Sequence, residues 1–174
     1  LISWTKPSSE TEQEKQERTE RMIREAISSH NAFDNCSLTV FTKGSYANNT
    51  NVQVDSDVDI AVECTEVIYW GKSEDCNYKG GNPYKGIWTP QKLRDELILA
   101  LKSKFPNQID TSGSTAIQIN SSSARVNADV VPCFSYKYYT IYSYIKGTKI
   151  FKTDGGKTVN YPMQQLENGI EKNN

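Results

Sequence analysis

The sequence predicts an α+β domain with a mixed or antiparallel sheet and helices packed on one side. Three observations predict it: an amphipathic stretch before residue 30, a second from 90 to 105, and β-branched or alternating runs through most of the rest. With 174 residues, 36% apolar and 24% charged, the chain can bury one real core.

Ser9 followed by Glu12 has the spacing of a capping box and opens a long N-terminal helix that runs to about His30. Its apolar stripe, Met22, Ile23, Ala26 and Ile27, occupies only the second half, so the first half reads as a solvated arm. Strands follow near 37–42 and 57–64. Residues 66–88, rich in Gly, Tyr, Lys and Asn, read as a long loop, either a cover for the site or a surface insertion. Thr89-Pro90 starts a second helix, in which Leu93, Leu97, Ile98, Leu101 and Phe105 recur at helical spacing until Pro106. Segments near 114–119, 124–134, 136–146 and 149–152 then alternate as antiparallel sheet, with a turn at Thr153-Asp154-Gly155-Gly156. Tyr136, Tyr138, Tyr142 and Tyr144 fall on one face of such a strand, a pattern that fits cross-strand packing better than base stacking.

The chemistry is concentrated between the first two strands. Gly44-Ser45 ends the first; glycine permits close backbone approach, and outward N–H groups with a serine hydroxyl suit a triphosphate. Asp57-Val58-Asp59-Ile60 begins the second. Period-two alternation sends Asp57 and Asp59 to one face and Val58 and Ile60 into the core. Two carboxylates at one spot repel unless a divalent cation lies between them, and Mg²⁺ takes carboxylates together with phosphate oxygens. Asp55, Asp57, Asp59, Glu63 and Glu66 also match the acidic register of a calcium-binding EF-hand loop, but Ile60 stands where that loop needs glycine. A third acid is available in Arg125-Val126-Asn127-Ala128-Asp129-Val130-Val131-Pro132, a β-branched run that Pro132 is expected to terminate; Asp110, at the start of a polar turn, is a second candidate.

The stretch Lys43-Gly44-Ser45-Tyr46-Ala47-Asn48-Asn49-Thr50, then Asp55-Ser56-Asp57-Val58-Asp59-Ile60, resembles the bacterial cGAS/DncV-like nucleotidyltransferases of the CdnE-like kind. These are polymerase-β-like enzymes that make cyclic oligonucleotide signals in anti-phage defence. Trp4-Thr5-Lys6-Pro7, Val130-Val131-Pro132 and the passage from Tyr161-Pro162 through Asn168-Gly169 extend the resemblance along the chain. It implies a polymerase-β-like nucleotidyltransferase core over residues 1–165, with 166–174 the start of a C-terminal helical domain absent from this chain. It further implies Mg²⁺ or Mn²⁺ held by Asp57, Asp59 and Asp129, a triphosphate turn at Gly44 and Ser45, and a nucleobase contact at Asn168, a residue that otherwise reads as a turn Asn before Gly169. Gln165 stands where relatives often carry a histidine, which bears on local geometry and base contacts more than on metal chemistry. The implied activity is metal-dependent joining of NTPs into a cyclic product with release of pyrophosphate, read downstream by a cyclic-nucleotide-responsive effector. A linear nucleotidyltransferase using the same carboxylates, and a non-catalytic nucleotide-binding domain, are the alternatives.

With 20 basic and 21 acidic residues and a net charge of −1, the chain has no positive stripe for duplex nucleic acid, which leaves small nucleotides as the expected partners. No run approaches the length of a membrane span, so a cytoplasmic protein is expected. Cys36, Cys64, Cys76 and Cys133 lack CxxC spacing and read as reduced thiols rather than a zinc site, with Cys64 and Cys133 in the core and Cys76 in a polar loop, open to solvent.

Overall fold

The computed structural model describes residues 11–43 and 58–161. Helix α1 spans Glu12–Ser28 and is capped by Thr11 rather than Ser9. Thr11 Oγ1 accepts the Glu14 amide at 3.1 Å while Glu14 Oε1 accepts the Thr11 amide at 2.9 Å, so the reciprocal pair sits two residues beyond the Ser9-Glu12 spacing. Ile23, Ala26 and Ile27 are buried as their spacing predicts. The first half is less of an arm than expected. Arg18 Nη1 donates to the Ala124 carbonyl at 2.8 Å, and the buried Thr19 hydroxyl donates to the Lys15 carbonyl and accepts the Val126 amide. Among the described residues, 11–14 form the exposed start of the helix, and partial burial begins at Lys15.

A 3₁₀ turn at Asn31–Phe33 leads into a seven-stranded sheet: β1 Leu38–Thr42, β2 Val58–Lys72, β3 Ile109–Asp110, β4 Ile117–Ile119, β5 Ala128–Tyr139, β6 Tyr144–Phe151 and β7 Lys157–Asn160. Helix α2, Pro90–Lys104, starts on Thr89, whose hydroxyl accepts the Lys92 amide, and has proline in its first turn, where no N–H is missed. The strand order is β1-β2-β5-β4-β3, with β6 on β5 and β7 on β6. The sheet is mixed: β2 and β5 run parallel, joined through α2, β3 and β4, and every other pair is antiparallel.

The strands are longer than the sequence suggests. β5 runs straight through Pro132, the turn falls at 140–143, and β6 follows as one strand, so the expected segments 124–134 and 136–146 are cut in the wrong places. Pro132 is tolerated because β4 pairs with β5 only as far as Val130 and β6 begins at Phe134, leaving that edge of β5 unpartnered between them. Consequently the four tyrosines do not share a face. Tyr142 is 90% exposed in the turn, Tyr144 packs across from Tyr139 with ring centroids 5.6 Å apart, and Tyr136 meets Tyr161.

Residues 66–72, read as loop, are the second half of β2, reached through a bulge in which Thr65, Glu66 and Val67 have no counterpart on β5. Asp59, Glu63 and Glu66 therefore lie along a strand and not around a calcium loop. The following coil packs at the far end of the sheet, where Tyr78 stacks on Tyr139 at 3.8 Å and meets Trp70 edge-on at 4.8 Å. Gly80, at φ 89°, passes under the Trp70 ring, where a Cβ would sit 3.1 Å from it. Cys76 is buried here, contrary to the solvent-open position expected of a polar loop.

Both helices lie against one face of the sheet. Ile60, Val62, Val130, Phe134, Ile117 and Ile119 pack there with Ile23, Leu93, Leu97, Leu101 and Phe105. His30 Nε2 to Glu96 Oε1 at 2.7 Å and Lys104 to Glu25 at 3.1 Å join the two helices, while the buried Arg94 donates to the Thr115 and Gly113 carbonyls and ties α2 to the turn before β4. The opposite face is left for the site.

Candidate active site

Val58 and Ile60 are 7% and 0% exposed in the helix-side core, so the strand pleat turns Asp59 to the other, open face. The same parity acts on β5: Ala128 and Val130 are buried and Asp129, between them, is half-buried on the open face. The parallel register places Asp59 directly beside Asp129, one interstrand spacing apart, about 4.8 Å. β1 closes the other side, where the Lys43 amide donates to the Asp59 carbonyl at 2.8 Å.

This juxtaposition has an electrostatic signature. Burial and the adjacent Asp129 carboxylate push Asp59 above the ordinary carboxylate value, and the Lys43 ammonium pulls it part of the way back. Two neighbouring carboxylates offer the hard oxygen donors that a divalent cation such as Mg²⁺ takes, and the repulsion between them is what such an ion would relieve. Among the described residues no group of three or more His, Cys, Asp or Glu side chains is clustered to hold a metal ion.

Of the residues singled out in the sequence, Asp59 and Asp129 are brought together. Gly44, Ser45, Asp57 and Asn168 lie outside the described residues. Their described neighbours Lys43 and Val58 both stand at the Asp59 end of the sheet, where the Val58 amide donates a hydrogen bond to the Asn127 carbonyl at 3.0 Å. Asp110 is on the same level of the sheet but two strands from Asp129. Its Oδ1 accepts the Ser112 amide at 2.9 Å and the Ser112 hydroxyl at 2.7 Å, bonds that hold its carboxyl below the usual range and make it a turn acid.

Two residues near the pair escape sequence reasoning. Lys43 was visible only as a flank of Gly44-Ser45. Gln118 faces Asp129 from β4, and its one signal is a polar residue alternating between two isoleucines. Beyond the acids the open face carries a small apolar patch, Ala61, Val131, Cys133 and Ile150 with Phe41 against it, and then Ser135 donating to Glu63 at 2.6 Å. Burial pushes the Cys133 thiol up to about 12, which makes it inert packing. No helix among the described residues is long and apolar enough to cross a membrane.

No family model matches the chain. It is 40% identical over 176 residues to a protein of Cecembia lonarensis described as cyclic dipyrimidine nucleotide synthase CdnE, and 39% identical over 175 residues to one of Legionella pneumophila with the same description. Those alignments take in 100% and 98% of this chain and 59% of each relative. The solved structure of Elizabethkingia meningoseptica CdnE cyclic dinucleotide synthase with GTP and Apcpp matches it at a TM-score of 0.66 and 30% identity, over 97% of this chain and 56% of that one. The chain thus spans less than two thirds of the length of the relatives it matches.

Proposed function

The chain belongs to the CdnE-like branch of the cGAS/DncV-like nucleotidyltransferases, and from that premise we propose that it carries the catalytic core of a synthase that joins NTPs into a cyclic di- or oligonucleotide. The observation that carries the reading is the Asp59-Asp129 pair, side by side on parallel strands and facing the open side of the sheet. Asp57, two residues before Asp59 in the sequence, completes a three-carboxylate set with Asp129 for Mg²⁺ or Mn²⁺. Such ions, when bound, supply Lewis-acid stabilisation of the α-phosphate and a lowered hydroxyl pKa.

The chain's own residues do the rest. Gly44 and Ser45 hold the triphosphate through backbone N–H groups and a hydroxyl, with the Lys43 charge beside them. Asp129 accepts the proton of the acceptor's ribose hydroxyl as that oxygen bonds to the α-phosphorus and the bond to pyrophosphate breaks. Asn168 contacts a base, residues 1–165 form the catalytic core, and 166–174 lead into a helical half that closes over the nucleotides. The two relatives described as cyclic dipyrimidine synthases make UTP and CTP the first substrates to try.

The test is incubation of the full-length protein with all four NTPs and Mg²⁺, followed by phosphatase treatment and mass spectrometry. A phosphatase-resistant cyclic product is expected, and Asp129→Asn should lower its rate about 10²- to 10⁴-fold. Products with free ends would instead indicate a linear nucleotidyltransferase. Metal-dependent nucleotide binding without any product would indicate a non-catalytic domain.

A further inference from the structure

β4 has three residues and one polar side chain. Ile117 and Ile119 are 0% and 1% exposed, whereas Gln118 between them is exposed on the face that carries the acids. Its neighbours are fixed by register, Asp129 on one side and Asp110 on the other. A row of Asp59, Asp129, Gln118 and Asp110 therefore crosses four strands at one level of the sheet. Nearby polar groups are engaged: Asp110 with Ser112, Asn127 with the Ser121 amide, and Arg125 with the Asn120 carbonyl and Gln108. Among the described residues the Gln118 carboxamide has no hydrogen-bond partner.

We propose that Gln118 is a specificity-determining contact that holds the acceptor nucleotide by the ribose hydroxyl adjacent to the one that attacks. The inference rests on the nucleotidyltransferase reading. Asp129, as the group that takes the proton, must come within about 2.6–3.2 Å of the attacking oxygen. The neighbouring hydroxyl is on the next ring carbon, and directly opposed residues of an antiparallel pair have Cβ atoms about 4.5–5.5 Å apart, a separation that a glutamine side chain spans. A carboxamide offers two donors and an acceptor, so it can meet a hydroxyl in either sense. Its neutrality also matters. A carboxylate at this position would add to the repulsion along the row, and an ammonium would compete with the cations for Asp129.

The experiment compares wild-type full-length protein with Gln118→Ala, using ribonucleotide, 2′-deoxy and 3′-deoxy acceptors in the first phosphodiester-forming step. With ribonucleotides the variant should lose about 3- to 10-fold in kcat/KM. With whichever deoxy acceptor lacks the non-attacking hydroxyl, the wild type should fall to the variant's level and the variant should lose nothing further. A loss of equal size with the ribonucleotide and with that deoxy acceptor would overturn the inference and make Gln118 a structural residue; unchanged kinetics with both would overturn it as well. Failure of the wild type to form any phosphodiester would overturn the nucleotidyltransferase reading itself, so the two failures are read from different proteins.

Discussion

At Asp59 the folded protein holds a proton more tightly than the unfolded chain, because burial and Asp129 both disfavour its charge. The unfolded chain therefore binds fewer protons, and stability of the metal-free protein falls as pH rises from the ordinary aspartate value of about 3.9 through the raised folded value. Asp59→Asn should raise the Tm of EDTA-treated protein at pH 7–8, and the advantage should shrink toward pH 4. Added Mg²⁺ should raise the Tm of the wild type and leave the variant unmoved. Scanning fluorimetry across pH with and without metal reads both effects, and a variant less stable than the wild type at pH 8 in EDTA would contradict the paired-carboxylate geometry. Asp59 and Asp129 were each legible in the sequence as candidate acids, and the family resemblance implied that they act together. An acid alternating with apolar residues, Val58 and Ile60 on one strand and Ala128 and Val130 on the other, fixes which face each aspartate takes. That the two strands are parallel neighbours in matching register is a tertiary fact that no local pattern encodes. Gln118 was illegible for a related reason: one glutamine in a three-residue strand has no motif, and its meaning comes entirely from what lies across the ladder.

Among the elements, the helices were read well and the strands less so. Periodicity located α1 and α2, yet the start of α1 slipped because Ser9-x-x-Glu12 and Thr11-x-x-Glu14 are equivalent as text and only backbone geometry chooses between them. Thr11→Ala should cost about 1 kcal/mol, measurable by urea denaturation, because it removes the hydroxyl that satisfies the Glu14 amide. The contact between the helices adds a pH-dependent component. Hydrogen bonds from His30 and then Lys92 hold the Glu96 carboxyl below its ordinary value. That contribution is complete above the unfolded glutamate value of about 4.3 and is lost as pH falls through the depressed folded value. Glu96→Gln should accordingly lower Tm at pH 7 and converge on the wild type in strong acid. In the sheet, the second half of β2 was missed because the bulge at 65–67 shifts the phase: inward residues run 58, 60, 62, 64 and then 67 and 69, which breaks the alternation that marks a strand. β5 was cut short because proline usually ends a strand, and its sequence cannot show that the neighbouring edge is vacant.

On the scale of the whole molecule, β2 and β5 form a spine with the acids at one end and the Trp70-Tyr78-Tyr139 cluster at the other. Tyr139 lies ten residues along β5 from Asp129, roughly 30 Å away at the rise of an extended strand. The coil after β2, read in the sequence as either a cover for the site or a surface insertion, packs at the end of the spine away from the acids. The carboxylates owe their spacing to a ladder packed against both helices, and not to a loop. The interruption at Pro132 gives this spine a further property. β4 and β6 grip the same edge on either side of a residue that cannot donate to a ladder, and the Thr153 amide, donating to the Ser114 carbonyl at 2.9 Å, ties the β6–β7 turn to the approach to β4. A change in the length of that turn is therefore expected to be felt at β4, and through its pairing with β5 in the row of four side chains.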